Sequence, residues 1–324
     1  MPESALQTER TKPTQERDRL SIASVTVTHN SSQVLPQHIE ALLRQKRRVQ
    51  EIVVVDNAST DGTAALLRER YPQVTVLPMR ENLGASGAFA VGLAYAALER
   101  RHDWVWAFDH DSVPNDDSLE LLLAGAESLR DQNGQIGILA PLAIHGETGT
   151  AYAPLLWQDG YVKLPAEKLH EPVVFADLVI NSGSLLRRGL VEEIGLPRAD
   201  FFMDFFDYEY CLRARSHGYK IAVITGSRLV HEIGNSRKVW LPGGSGLWKD
   251  HSPCREYYIS RNLTYAAWWL YPTPGGKWFA FRHLARHAGG VLLFSSSRLA
   301  CLRRMAQGFW DGRRASLGTR FLPD

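Results

Sequence analysis

The stretch Trp104-Val-Trp-Ala-Phe-Asp109-His110-Asp111-Ser112 constrains this chain most. Its first five residues are apolar and bulky, as in a β-strand buried on both faces, and two carboxylates separated by one residue follow at once. That is the end of a strand at which open α/β sheets bind ligands. Oxygen donors on a short turn suit a hard divalent cation, Mg²⁺ or Mn²⁺, and such a cation commonly accompanies a diphosphate. The competing reading is a pair of acids capping a helix begun by Pro114 and Asn115.

The same pattern recurs upstream. Ile22 to Thr28 alternates β-branched and small residues and runs into His29-Asn30. Glu51 to Asp56 is a continuous apolar run ending in Asp56-Asn57-Ala-Ser-Thr-Asp61-Gly62. Gln73 to Pro78 is a third strand, followed by Glu81-Asn82-Leu-Gly84-Ala-Ser86-Gly87. Apolar spacing predicts helices over 35–44, 63–71 and from Gly87 through Ala97. Four strands joined by three such helices make right-handed βαβ units, hence an α/β fold with a Rossmann-like, mostly parallel sheet flanked by helices. All four polar loops then face one crevice. No G-x-G-x-x-G follows the first strand and no P-loop is present, so a glycine turn does not cradle the phosphates. Asp56 can accept from a base N–H or a ribose hydroxyl, and Asn82 with the backbone of Gly84 can approach a base. A nucleoside diphosphate held by carboxylates and a cation points to a nucleotide-sugar.

The second half reads less regularly. Strands are expected over 136–140, 173–180 and 219–225. Residues 141–171 are rich in Gly, Pro and aromatics, so Tyr152, Trp157 and Tyr161 are candidates to line an acceptor groove, and small Ser182 and Gly183 would let a sugar approach the backbone. A helix from about Phe206 to a Gly218 C-cap places Asp204 and Asp207 at its N-terminus, as helix caps or as a general base, with Glu209 and Arg213 paired along it. Residues 235–238 read as a flexible basic loop able to close over a diphosphate, and Arg261 as a phosphate contact.

Charge argues against nucleic acid, with 37 Lys+Arg against 35 Asp+Glu. Three cysteines without CxxC spacing give no zinc motif or disulfide framework, which fits a reducing compartment. Residues 1–20 read as a disordered leader, and no apolar run is long enough to span a bilayer. Residues 241–324 read as a helical, basic and aromatic appendage. From Lys277 to Arg314 it carries eight Lys+Arg and one acid, with Trp and Phe interleaved. That composition suits an anionic membrane surface or another subunit, giving a cytoplasmic protein peripheral on the inner face of the membrane, or a homo-oligomer.

Ser24-Val-Thr-Val-Thr-His-Asn30, Val53-Val-Val-Asp-Asn-Ala-Ser-Thr-Asp-Gly62, Glu81-Asn-Leu-Gly-Ala-Ser-Gly87 and Asp109-His-Asp111 together resemble family 2 glycosyltransferases of the GT-A fold. The likeness is to the bacterial rhamnosyl- and galactofuranosyltransferase branch, over roughly 22–231. It implies a GT-A catalytic domain over 21–240 and a metal-dependent, inverting sugar transfer to a hydroxyl of a glycan or polyprenyl-diphosphate-linked acceptor, in cell-surface polysaccharide synthesis. It implies nucleotide-sugar contacts at Thr28, His29, Asn30, Asp56, Asn57, Asn82, Gly84, Ser86, Asp109 and His110. It further implies a metal at Asp109, Asp111 and His231, and a general base at Asp207, with Asp204 next. His110 stands where galactofuranosyl donors go with a third acid, which favours dTDP-rhamnose over UDP-galactofuranose or another UDP-sugar. A nucleotidyltransferase would show a Gly-rich, basic first loop in place of Thr28-His29-Asn30. A non-catalytic membrane-associated scaffold would not need Asp109, Asp111 and Asp207 intact.

Overall fold

The structure, a computed structural model, describes residues 20–129, 135–146, 149–231, 236–241 and 244–323. The leader expected over 1–20 lies outside these residues but for Leu20. Strands β1 (Ile22–Thr28), β2 (Glu51–Asp56), β3 (Thr75–Pro78) and β4 (Trp104–Asp109) alternate with helices α1 (Leu35–Leu43), α2 (Thr63–Arg70) and α3 (Gly84–Leu93). β1 pairs in parallel with β2 and β4, and β2 in parallel with β3, as the sequence implies.

Beyond β4 the sheet turns mixed. The strands are β5 (Ser112–Pro114), β6 (Ile136–Ile144), β9 (Val173–Ala176), β10 (Leu185–Arg187) and β11 (Lys220–His231). The small pair β7 (Leu155–Trp157) and β8 (Tyr161–Lys163) stands apart. Among the described residues the order is β3-β2-β1-β4-β10-β6-β11-β5, with β9 on β11. β10 inserts antiparallel between β4 and β6 and was not expected, because three residues after a turn carry no alternation to read. β9 stops at Ala176, short of the expected Ile180. β11 in turn outruns its expected end at Thr225, crosses a register shift between Ile224 and Arg228, and delivers His231 beside the sheet's C-terminal edge.

Both faces of the parallel half are buried, which explains its continuous apolar strands. Val25, Val53, Val55, Val105 and Ala107 face α3 and the helices α5 (Arg188–Ile194) and α6 (Phe206–Ser216). Ile52, Val54, Trp106 and Phe108 face α1, α2 and α4 (Ser118–Ser128). Since α4 starts at Ser118, Asp109 and Asp111 cap no helix: Asp109 ends β4 and Asp111 lies in the turn before β5.

The C-terminal region contains a hairpin, β12 (Ser236–Leu241) with β13 (Gly244–Lys249), and helices α7 (Pro253–Tyr265), α8 (Pro274–Phe294) and α9 (Arg298–Arg313). Of the basic loop expected over 235–238, residues 236–238 therefore belong to a strand, and Asn235 lies outside the described residues. α7 and α8 start as their sequences dictate. The side chains of Ser252 and Thr273 accept from the N–H of Arg255 and Gly276, with proline in the first turn. Leu263, Ala280, Leu284, Val291 and Met305 extend the core on the α3 side.

One buried histidine fastens the first strand to the Asp-X-Asp turn. His38 of α1 donates from Nδ1 to the carbonyl of Ser112, so its Nε2 accepts from Thr26 Oγ1, 2.8 Å away. Burial lowers its pKa from 6.5 to about 4, against the opposing pull of the Ser112 bond. Below pH 6.5 the unfolded chain binds a proton that the folded protein refuses, so stability falls as pH drops from 6.5 to 4. The full term is about 3 kcal/mol at the lower limit. Urea unfolding at pH 7 and pH 5 should show this loss in the native chain and a shallower one in His38→Gln; equal slopes would refute the assignment.

Candidate active site

A cleft of about 580 Å³ opens at the C-terminal edge of β1, β2 and β4. His29, Asn57, Asn82, Gly84, Asp109, His110, Asp111, Asp204, Asp207 and His231 all line it. Loops far apart in sequence thus converge as their positions after parallel strands require.

The first three loops brace one another. His29 Nδ1 donates to the carbonyl of Asn57. Asn57 donates to Asn82 Oδ1 at 2.9 Å and accepts from the N–H of Leu83 at 2.8 Å. Gly84 is at φ +70°, and a Cβ there would fall 2.1 Å from the carbonyl oxygen of Phe202, so only glycine permits this contact. Asn30 accepts from the Thr60 N–H on an exposed rim. Asp56 lies beneath the cleft, with Oδ1 holding the Ser59 N–H.

Four expected contacts are corrected. Thr28 is fully buried inside the sheet, and Ser86 is buried with its hydroxyl donating to the Arg198 carbonyl, so neither side chain faces the cleft. Ser182 is 1% exposed and does not face an acceptor. Its hydroxyl accepts from the Asp109 N–H and from Ser112 Oγ, and donates to Asp109 Oδ2 at 2.7 Å. Gly183 is also internal: at φ +82° its N–H donates to Ala107, its carbonyl accepts from Trp106 Nε1, and Pro141 fills the space a Cβ would need. Trp157 is half-buried, packed on Tyr161 and Phe279.

This buried hydroxyl relay positions the candidate cation donors. Ser112 Oγ lies 2.8 Å from His231 Nδ1, and His231 Nδ1 lies 3.4 Å from Asp111 Oδ1. Asp111 Oδ1 is buried and makes no hydrogen bond. Burial raises the Asp111 carboxyl, but the pull of His231 and the charges of His231 and His110 outweigh it and leave its pKa below the usual value. A charged, unsatisfied oxygen beside an imidazole suits a divalent cation; Asp109 lines the same cleft, and the donor atoms of Asp109, Asp111 and His231 do not all lie within 4.8 Å of one another.

Opposite stands the loop before α6. Phe202, Asp204 and Phe205 all take left-handed backbone, at φ 66°, 55° and 67°. Such residues are strained by about 1–3 kcal/mol each. Asn262 Nδ2 donates to the carbonyls of Phe201, Met203 and Asp204, and Arg261 Nη2 to those of Asp200 and Phe201. Arg261 is 0% exposed, so it meets no phosphate. The clamp gives the two acids different surroundings. Asp204 receives three contacts of 2.9–3.2 Å from Arg255 and is occupied as a counter-ion. Asp207, in the first turn of α6, is desolvated, accepts from the Tyr208 N–H, and feels the charges of Asp204 and Asp109; its pKa rises to about 7.

Lys249, Ser252 and Arg255 complete the wall. Sequence reading missed them because the C-terminal region carries no cue that it folds back over the sheet edge. Lys249 is lowered to about 8 by burial and by Arg255.

Residues 24–169 match the family described as Glycosyl transferase family 2. The chain is 26% identical over 254 residues to the galactofuranosyltransferase GlfT1 of Mycobacterium tuberculosis, covering 76% of this chain and 81% of that protein. It is 26% identical over 247 residues to the dTDP-rhamnosyl transferase RfbF of Shigella flexneri, covering 75% and 78%. A crystal structure of GalNAc-T7 with UDP, GalNAc and Mn²⁺ superposes with a TM-score of 0.58 at 17% identity, over 91% of this chain and 56% of that one. The fold is the GT-A fold.

The clamp generates a stability prediction. Asn262→Ala takes the side-chain donor from the carbonyls of Met203 and Asp204, while that of Phe201 keeps Arg261 and the Met203 N–H; at about 1–3 kcal/mol for each unsatisfied group, denaturant unfolding should show a loss of about 2 kcal/mol or more. A loss under about 1 kcal/mol would mean the loop holds itself.

Proposed function

The chain is a glycosyltransferase carrying a family 2 domain, and we propose that it moves a sugar, with inversion, from a nucleoside-diphosphate donor to a hydroxyl of a glycan or polyprenyl-diphosphate-linked acceptor. The observation that carries this reading is Asp207: a carboxyl raised to about 7 in the same cleft as Asp109 and Asp111. A base titrating near the working pH is both ionised and able to take a proton. Asp207 takes the proton of the acceptor hydroxyl as it attacks the anomeric carbon from the side opposite the leaving group.

His29, Asn57 and Asn82 hold the nucleoside, with Asp56 bracing the loop beneath them. Asp109, Asp111 and His231 would hold Mg²⁺ or Mn²⁺, which would supply positive charge to the leaving diphosphate. Lys249, facing the same cleft, adds a positive charge at the diphosphate. Relatives named for rhamnosyl and for galactofuranosyl transfer support a donor of this class, and His110 between the two acids favours dTDP-rhamnose over UDP-galactofuranose.

On the acceptor side, Tyr161 and Tyr208 pack together at 5.5 Å next to Asp207. Beyond Tyr161 a second pocket is lined by Lys163, Phe279, Arg282, His283 and Arg286. Among the described residues, Lys163, Arg282 and Arg286 have no acidic partner. These cations suit the diphosphate of a lipid-linked acceptor. The exposed Trp278, Phe281, Leu292 and Leu293 of α8 suit contact with a bilayer surface. Among the described residues no helix is long and apolar enough to cross one.

A donor panel with Mg²⁺ or Mn²⁺, scored for nucleoside diphosphate release and for transfer, tests this reading. Transfer kcat/KM should rise through pH 7 as Asp207 ionises and fall above pH 8 as Lys249 loses its charge. Asp207→Asn should cost about 10²–10⁴-fold in transfer, and Asp111→Ala should abolish metal-dependent release. Arg282→Ala with Arg286→Ala should raise the KM for a diphosphate-linked acceptor while leaving donor hydrolysis intact. Full transfer by Asp207→Asn would defeat the base assignment.

A further inference from the structure

Behind the cleft wall that bears Lys249, Ser252 and Arg255 lies a cluster that sugar transfer does not use. Glu256, in the first turn of α7, is 1% exposed. His287 Nε2, from the middle of α8, lies 3.0 and 2.8 Å from its two oxygens. His251 Nδ1, just after β13, lies 3.4 Å from Glu256 Oε1; it is shut off from solvent and makes no hydrogen bond. Among the described residues this is the one trio of His, Cys, Asp or Glu whose donor atoms all fall within 4.8 Å of one another. The Trp248 ring stacks on His287, centroids 5.6 Å apart, and covers one side.

A carboxylate this deeply buried needs a positive partner. Among the described residues no Lys or Arg is paired with it; its ion-pair partners are the two histidines. A proton on His287 would balance the charge and still leave His251 Nδ1 unsatisfied. One cation satisfies all three donors. In tetrahedral zinc coordination, with bonds of about 2.0–2.2 Å, neighbouring donors stand about 3.3–3.5 Å apart. The His251–Glu256 separation already matches, and the His287 side needs an opening of about 0.5 Å or less by the same bond geometry.

We propose that His251, Glu256 and His287 form a second metal site, taking Zn²⁺ or a similar borderline divalent ion with water in the fourth position. Two imidazoles and one carboxylate select such an ion over Mg²⁺, which the oxygen-rich acids of the cleft prefer. The ion ties the segment after β13 to α7 and α8. It thereby steadies the turn from which Arg255 reaches Asp204. This inference does not depend on the sugar-transfer reading.

The test is a Co²⁺ titration of chelator-treated full-length protein, followed by visible ligand-field absorption. It uses the native chain and an Asp109→Ala, Asp111→Ala double variant that lacks the cleft acids. Both should show one equivalent of tetrahedral-type absorption, displaced by Zn²⁺, with a rise in Tm. Glu256→Gln and His287→Ala should abolish the signal. Absence of Co²⁺ and Zn²⁺ binding by the native chain, or its loss in the cleft double variant, would overturn the proposal whether or not the other variants fold.

Discussion

The site depends on how two side chains of α7 hold a strained loop. Arg261 and Asn262 reach across to the carbonyls of residues 200–204 and keep three non-glycine residues in left-handed backbone. Those conformations cost several kcal/mol together. Hydrogen bonds from a buried guanidinium, about 1.5–3 kcal/mol each, and from a buried amide are large enough to offset that cost. Through this clamp the C-terminal helices hold one wall of the cleft in place.

The strain has a chemical use. It sets two carboxylates three residues apart in opposite environments. Asp204 faces Arg255 and stays a counter-ion, whereas Asp207, half-buried in the cleft wall, has only backbone N–H groups to steady its charge. Environments that push paired acids apart are what separate a base from an electrostatic partner. Asp109 and Asp111 follow the same logic at the other wall. Ser182 anchors the first, while the second keeps an oxygen with no hydrogen bond.

Local pattern made the first half legible. Apolar runs ending in Asp, Asn and Gly located β1 to β4, and parallel connectivity placed their loops together. Asp207 and His231 also came from the sequence, through a family likeness, and both line the cleft. The supporting shell was not legible. Ser182 looked like a ligand contact because small polar residues occur both at ligands and under them, and only burial separates the two. Arg261 looked like a phosphate contact for the same reason. His38 and Arg255 act across long sequence separations that periodicity does not encode. β10 was missed because three residues between two antiparallel partners need no pattern of their own.

The clamped loop places the Asp207 carboxyl across the cleft from Asp109 and Asp111. The most direct test is the titration of that carboxyl itself, by ¹³C NMR of aspartate-labelled protein with Asp207→Asn as the assignment control. The account predicts a midpoint near pH 7. A midpoint in the ordinary range of an aspartate, about 3.9, would contradict it.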